Sequence, residues 1–324
     1  MVDKVWIAWE RQRRTLELSK VFGSDLYIFQ SKGSRLTKYF KPLFKTIQVL
    51  IKTKPKILFV QNPSLFLALA AVIIKPFFGY KLIVDRHTNF KLKHRQSLNP
   101  KWILFQCLSN YTLKKADITI VTNKYLRLLV NSLGGTALVL QDKLPSIPIN
   151  LNDKLDLPKF SALFICTYAD DEPYKKVFNA VAKMHDIDIF VTGNIPSHIE
   201  QKSLRKNIHL LGFVSDETYL NYLASVDFVV VLTNQEFTLN CGSYEAVVMG
   251  KPMLLSNTKT IRDYFCEGAV YADPNSQASI EHSLDLMKKE FITLKHGITT
   301  AKQTLGESWE AQFEYCLQKI EDKI

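Results

Sequence analysis

Short apolar runs alternate along the whole chain with segments whose apolar positions return every three or four residues. The first pattern is that of a strand buried on both faces, the second that of an amphipathic helix. In the first half, runs at 5–8, 26–29, 57–60, 81–84, 118–121 and 137–140 predict strands. Residues 14–22, 35–52, 64–74, a segment ending at Lys115, and 124–133 predict the helices between them. The second half repeats the alternation, with strands at 162–166, 187–192, 208–211, 228–232, 252–255 and 269–271. Its helices are expected at 173–184, at 218–224, around Glu245 and from Ser279 onward.

Residues 144–160, LPSIPINLNDKLDLPKF, set three prolines among small polar residues and predict a linker between domains. The expected fold class is therefore α/β, with two Rossmann-like domains facing each other across a cleft. The first spans residues 1–150 and the second 151–305, and 306–324 is expected as a helix crossing back to the first. One helix allows two readings. Residues 35–52 carry Leu36, Tyr39, Phe40, Leu43, Ile47 and Leu50 at helical spacing among Lys38, Lys41, Lys45 and Lys52. Such a segment packs on a sheet or lies on a membrane, and Pro42 weakens a single long surface helix.

Composition narrows the class. With 324 residues, 47% of them hydrophobic, the chain has ample core for two domains. Its five cysteines are scattered without CxxC spacing, which argues against disulfides, zinc or a redox pair and for a reducing cytoplasm. The longest apolar run, 65–74, is ten residues, too short to span a bilayer, and the first residues pass directly from a short apolar run into charge. A soluble or peripheral protein without a signal peptide is expected. Charge is unevenly spread: residues 1–150 hold 25 Lys and Arg against 7 Asp and Glu, and the rest of the chain carries a net −7. The basic half suits anionic headgroups, nucleic acid or phosphorylated substrates. No nucleic-acid motif or aromatic–basic platform accompanies it, so nucleic acid is not expected as a partner.

The candidate chemistry lies where strands end, since ligands of parallel sheets collect at the carboxyl edge. The strand at 81–84 runs into Asp85, Arg86, His87 and Thr88, and the strand at 187–192 into Thr192, Gly193 and Asn194. Asp170, Asp171 and Glu172 precede Pro173 as a helix cap, a ligand contact, or both. Residues 229–256, VVVLTNQEFTLNCGSYEAVVMGKPMLLS, form a strand, loop, helix, turn and strand, with Glu245 about one turn into the helix. Asp186 and Asp188 match a DxD metal pattern but are read as the start of a strand. The seven histidines have no zinc spacing, so no metal site is expected. GxSxG, P-loop and GxGxxG patterns are missing.

The order of these segments resembles GT-B glycosyltransferases of the family 4 type. Residues 57–145 look like the N-domain and 207–273 like the donor half, with EAVVMGKP as the specific part. The resemblance implies that Glu245, as the second Glu of an E-x7-E motif, holds the donor ribose. Phe237 stands where the first Glu falls, and Glu236 is one residue out of register. TLNCGSYE looks like a bacterial T-L-x-x-G-x-x-E variant, in which Thr238, Leu239 and the amides through Gly242 face the donor phosphates or sugar. By the same analogy His87 touches the transferred sugar. Thr192, Gly193, Asn194, Glu172 and Lys175 would join the donor site, and Arg13, Arg14 and Arg86 would meet acceptor or phosphate. Asp85 or Glu10 would act as base if the reaction inverts. The implied activity is transfer from a UDP- or GDP-sugar, with retention and without a metal or other cofactor. The acceptor would be a glycan or a polyprenyl-pyrophosphate-linked sugar at the inner, anionic face of a bacterial membrane. Rival readings are a nucleotide-sugar epimerase of the same architecture and a non-catalytic nucleotide- or sugar-binding protein.

Overall fold

The structure, a computed structural model, describes residues 3–31, 35–62, 64–87, 90–147, 154–158 and 160–322. The chain forms two units, Met1–Lys143 with Ser308–Ile324, and Leu144–Glu307. The division therefore falls at Lys143, before the proline-rich segment, and not after residue 150.

In unit 1, strands β1 (Lys4–Ala8), β2 (Asp25–Ile28), β3 (Ile57–Asn62), β4 (Lys81–Arg86), β5 (Ile118–Val121) and β6 (Ala137–Val139) alternate with helices. The helices are α1 (Arg13–Val21), α2 (Arg35–Thr53), α3 (Leu65–Phe78), α4 (Pro100–Lys115) and α5 (Lys124–Ser132). The sheet is parallel, in the order β2-β1-β3-β4-β5-β6. Both its faces are covered, which is why its strands read as unbroken apolar runs. Leu58, Val60, Leu82 and Val84 pack on Leu67, Ala68 and Ala71 of α3. Trp6, Phe59 and Ile83 share the other core with Trp309, Cys316 and Ile320 near the C-terminus.

Unit 2 contains β7 (Ser161–Phe164), α6 (Tyr174–Val181), β8 (Asp188–Thr192), β9 (Ile208–Gly212), α7 (Asp216–Ser225) and β10 (Phe228–Val231). It continues with α8 (Cys241–Val248), β11 (Met253–Ser256), α9 (Lys259–Tyr264), β12 (Ala269–Ala272), α10 (Gln277–Lys289) and α11 (Phe291–Glu321), whose end belongs to unit 1. Its parallel sheet runs β12-β11-β10-β7-β8-β9. Strand order reverses between β7 and β10, and the carboxyl edge at such a switch opens a crevice for ligand.

Two elements differ from the sequence pattern. α2 is one helix that runs through Pro42, although an interior proline costs about 3 kcal/mol. Pro42, Thr46 and Leu50 are all buried, so one stripe of the helix packs inward, and Thr46 accepts a hydrogen bond from the Trp9 indole at 3.1 Å. Packing of that face offsets the missing backbone bond. The other difference is at α6, whose N-cap is Pro173 without a side-chain cap, so Asp170, Asp171 and Glu172 do not cap it.

Candidate active site

At the carboxyl end of β4, Asp85 is fully buried between two bases. The Arg14 guanidinium donates to both its oxygens, Nε at 3.0 and 3.2 Å and Nη2 at 2.9 Å from Oδ1. Arg14 also reaches Asp142 Oδ1 at 2.7 Å and the Leu140 carbonyl at 2.8 Å, joining the ends of β4 and β6. On the other side, His87 Nδ1 lies 3.3 Å from Asp85 Oδ2. Burial alone would raise the Asp85 pKa; Arg14 and His87 more than reverse this and hold it at about 2. An ionised carboxylate only accepts hydrogen bonds, so Nδ1 of His87 is the donor in this pair. Asp85 thus orients His87.

These contacts correct three sequence assignments. Asp85 is sealed in an ion pair and does not itself take a proton from an acceptor. Arg14 is a buried clamp, with its charge favoured by Asp85 and Asp142 over the cost of burial, and it is not a phosphate ligand. Arg86 is also buried; it donates to Ser109 Oγ at 2.7 Å and stacks 3.8 Å over the Phe90 ring. Its Nε and Nη1 have no hydrogen-bond partner among the described residues, and burial lowers its pKa to about 9. Arg13 is exposed. Thr88 lies outside the described residues. Glu10 is exposed and lines a different cavity, with Ser31, Lys38, Ser64 and Lys101.

In unit 2 the loops after β7 and β10 are tied together at the switch point. Thr233 Oγ1 donates to Asp171 at 2.6 Å, and the Asn234 amide donates to the Asp171 carbonyl at 2.8 Å. Beside them lies a polar cleft of about 280 Å³ lined by Asp170, Glu172, Lys175, Lys176, Asn234 and Asn275 among others. Glu172 lines this cleft, but its Oε2 accepts from the Thr167 amide and hydroxyl and from the Ala169 amide, at 2.7, 3.1 and 3.1 Å. It therefore shapes the loop from within. Lys176 and Asn234 are additions the sequence did not single out.

The loop after β10 leads into α8 at Asn240, whose side chain makes no cap and whose Oδ1 is buried with no hydrogen-bond partner among the described residues. Glu245, one turn inside α8, accepts a hydrogen bond from the Tyr219 hydroxyl of α7. Glu236 turns away: its carboxylate accepts from the Thr260 amide at 3.0 Å and the Lys259 amide at 3.3 Å, at the start of α9. Burial opposes its charge, and those amides prevail, so its pKa is lowered. Phe237 beside it has φ +62°, the left-handed region where a side chain is strained. Thr238 is half-buried, and Leu239 packs on the apolar cluster beneath α8. Gly242 owes its identity to packing, because a Cβ there would lie 2.7 Å from Ile165 Cδ1.

Gly193 likewise serves the backbone. Its φ is +104°, and a Cβ would stand 2.1 Å from the Cys166 carbonyl oxygen. Thr192 Oγ1 is buried between the Cys166 amide and the Phe164 carbonyl, at 3.3 and 3.4 Å. Thr192 and Gly193 hold β8 against the end of β7, and exposed Asn194 follows them. The Asp186 and Asp188 carboxylates are engaged by Lys288 and His209. Among the described residues no three His, Cys, Asp or Glu side chains converge as a metal site would require.

Residues 159–304 match the family model for glycosyl transferases group 1. That match lies within unit 2 and spans most of it. The whole chain superposes on sucrose-phosphate synthase from Thermosynechococcus elongatus with TM-score 0.75 and 11% identity, covering 99% of this chain and 100% of that one. HepE of Anabaena in complex with UDP and glucose matches with TM-score 0.69 and 11% identity, over 96% and 91% of the two chains. WaaG, a glycosyltransferase involved in lipopolysaccharide biosynthesis, matches with TM-score 0.68 and 12% identity, over 98% and 99%. Both units thus have the fold of GT-B glycosyltransferases. A search of curated proteins by sequence finds no match. In this family context the lysine of GKP has a structural role here: Lys251 Nζ donates to the Ala224 and Val226 carbonyls at 2.7 and 2.6 Å, closing α7.

Proposed function

We propose that the chain transfers a sugar from a nucleotide-diphosphate donor, held by unit 2, to a hydroxyl of a glycan or lipid-linked acceptor held by unit 1. The observation that carries this reading is the place of Glu245 in the group 1 match, one turn into α8 where the loop from the switch-point strand ends. A carboxylate there accepts hydrogen bonds from ribose hydroxyls, and the first amides of α8 favour phosphate. Lys175 and Lys176 in the adjoining cleft supply positive charge toward the departing diphosphate, so no metal is required for that role. HepE in its complexes with UDP and UDP-glucose supports a uridine donor.

His87 is the group we place at the transferred sugar. Retention at the anomeric carbon accords with the burial of Asp85, the carboxylate nearest to His87, in an ion pair. An inverted product would instead make His87 Nε2 the base. The basic first half favours an anionic inner membrane surface, approached by residues 91–102 and by α2, in surface polysaccharide synthesis. No helix among the described residues is long and apolar enough to cross a membrane.

The test is a thermal-shift screen with UDP, GDP, ADP and their sugars, followed by transfer assays of Glu245→Ala and His87→Ala. One nucleotide is expected to raise the melting temperature by mass action, equivalent to about 2.7 kcal/mol at 100 times its Kd. Unchanged transfer in both variants would remove the site assignment. Labelled sugar that isomerises on the nucleotide without acceptor would identify an epimerase instead.

A further inference from the structure

Unit 1 holds two adjoining cavities that share Trp9, Tyr39 and Phe66 in their walls. One, about 430 Å³, lies between α2 and α3 and is walled otherwise by Phe40, Leu43, Leu69, Ala70 and Ile73, with no charged side chain. The other, about 400 Å³, extends to α4 and includes Ser31, Ser64, Lys38, Lys101 and Glu10. The shared wall is ordered by ring contacts, Tyr39 to Phe66 at 4.6 Å and Trp9 to Tyr39 at 6.5 Å. Phe40, Phe66 and Ile73 around the apolar cavity are 65, 51 and 56% exposed. Nearby on the same two helices, Phe44 and Phe77 are exposed as well. Large apolar side chains exposed side by side on a monomer mark a binding surface.

We propose that the trough between α2 and α3 takes the hydrocarbon chain of a lipid phosphate, with the phosphate toward Lys38 and Lys101. This rests on the reading of unit 1 as the acceptor side and names the class of acceptor. Charge decides among occupants. Every charged residue in α2, α3 and α4 is basic. A second copy of the chain would set these lysines against their like, which opposes self-association. A glycan without a lipid would leave the apolar cavity wet, and a neutral hydrocarbon would leave the lysines unused. An amphiphile with an anionic head uses both cavities. Glu10, the one carboxylate lining the polar cavity among the described residues, repels phosphate and accepts hydroxyls, so it faces the sugar side of the head.

All four tryptophans lie in unit 1, and Trp9 alone lines both cavities, so quenching reports occupancy. The probe is 12-bromododecyl phosphate below its micelle concentration, added to the full chain. Saturable quenching is expected, competed by dodecyl phosphate and not by inorganic phosphate. Ala70→Phe, which fills the trough, is expected to weaken binding at least tenfold, and Ala70→Ser to leave it unchanged. Lys38→Gln with Lys101→Gln is expected to weaken it several-fold. Equal binding to Ala70→Phe and the parent, or quenching only in the presence of phosphatidylglycerol vesicles, would overturn the proposal. Nucleotide-sugar stabilisation of Ala70→Phe separates the two readings: its retention leaves the donor assignment standing whatever the lipid result, and its loss in the parent protein removes that assignment while leaving chain binding to be judged by quenching.

Discussion

Asp85 holds two bases from a site without solvent, and that sets its expected behaviour. Asp85→Asn leaves Arg14 buried with half its partners gone, so a loss of 3 to about 5 kcal/mol is expected, read by urea unfolding followed through tryptophan fluorescence. The pH dependence has a fixed sign. The folded pKa, about 2, lies below the unfolded value, so the unfolded chain binds the extra proton between the two. The contribution, on the order of 2 kcal/mol, is therefore present above about pH 4 and disappears as pH falls toward 2. Arg86 offers the contrast. It is buried with two donors unpartnered among the described residues, and Arg86→Met is expected to change stability by less than about 1 kcal/mol, whereas Arg14→Met loses 3 to about 5. Equal losses in the two variants would show that the Ser109 and Phe90 contacts support Arg86 as fully as the carboxylates support Arg14.

At the scale of elements, unit 2 depends on how closely strand ends approach. Gly193 sits where the end of β8 meets the Cys166 carbonyl, and neither the contact nor its φ admits a Cβ. Gly193→Ala is expected to lower the stability of unit 2 by at least 2 kcal/mol, detected by far-UV circular dichroism during thermal unfolding. Gly242→Ala meets the far end of Ile165 at 2.7 Å and the Cγ2 methyls of Ile165 and Val231 at 3.3 Å, side chains and not backbone, so its cost is expected near 1 kcal/mol. These glycines stand out in the sequence, but the sequence does not say whether each makes room for ligand or for backbone. The same holds for Glu172 and Glu236. Glu172 was expected beside the ligand and Glu236 stands one residue out of the motif's register, and both carboxylates are occupied by amides of the folded loops. The helix through Pro42 shows the reverse case, where a local penalty yields to burial of a whole face.

For the whole molecule, the uneven charge is the property with the widest consequence. With near 1 kcal/mol per basic residue at an anionic surface, Lys38, Lys41 and Lys45 together are expected to change vesicle affinity by about two orders of magnitude if the proposed membrane approach holds. Replacing all three by Gln is expected to abolish sedimentation with anionic vesicles at physiological salt, while neutral vesicles bind neither protein. Undiminished sedimentation of the triple variant would place the attraction elsewhere on the chain.

The alternation of strands and helices, the two-domain plan and the stretch around Glu245 were legible because they rest on local periodicity and on residue types at short spacing. Asp85 and His87 were legible as neighbours at a strand end. Their roles were not, because Arg14 stands 71 residues from Asp85 and 128 from Asp142 in the chain. Tyr219 meets Glu245 across 26 residues, and no local pattern announces such a partner. Hydrophobic periodicity is written in consecutive residues, whereas the burial of a charge and the partner that satisfies it exist only once distant strands are side by side. The amino-acid sequence by itself thus determined the fold class and the place of the strand, loop and helix around Glu245. The tertiary structure decided which charged residues build the site from within and which are left to meet a ligand.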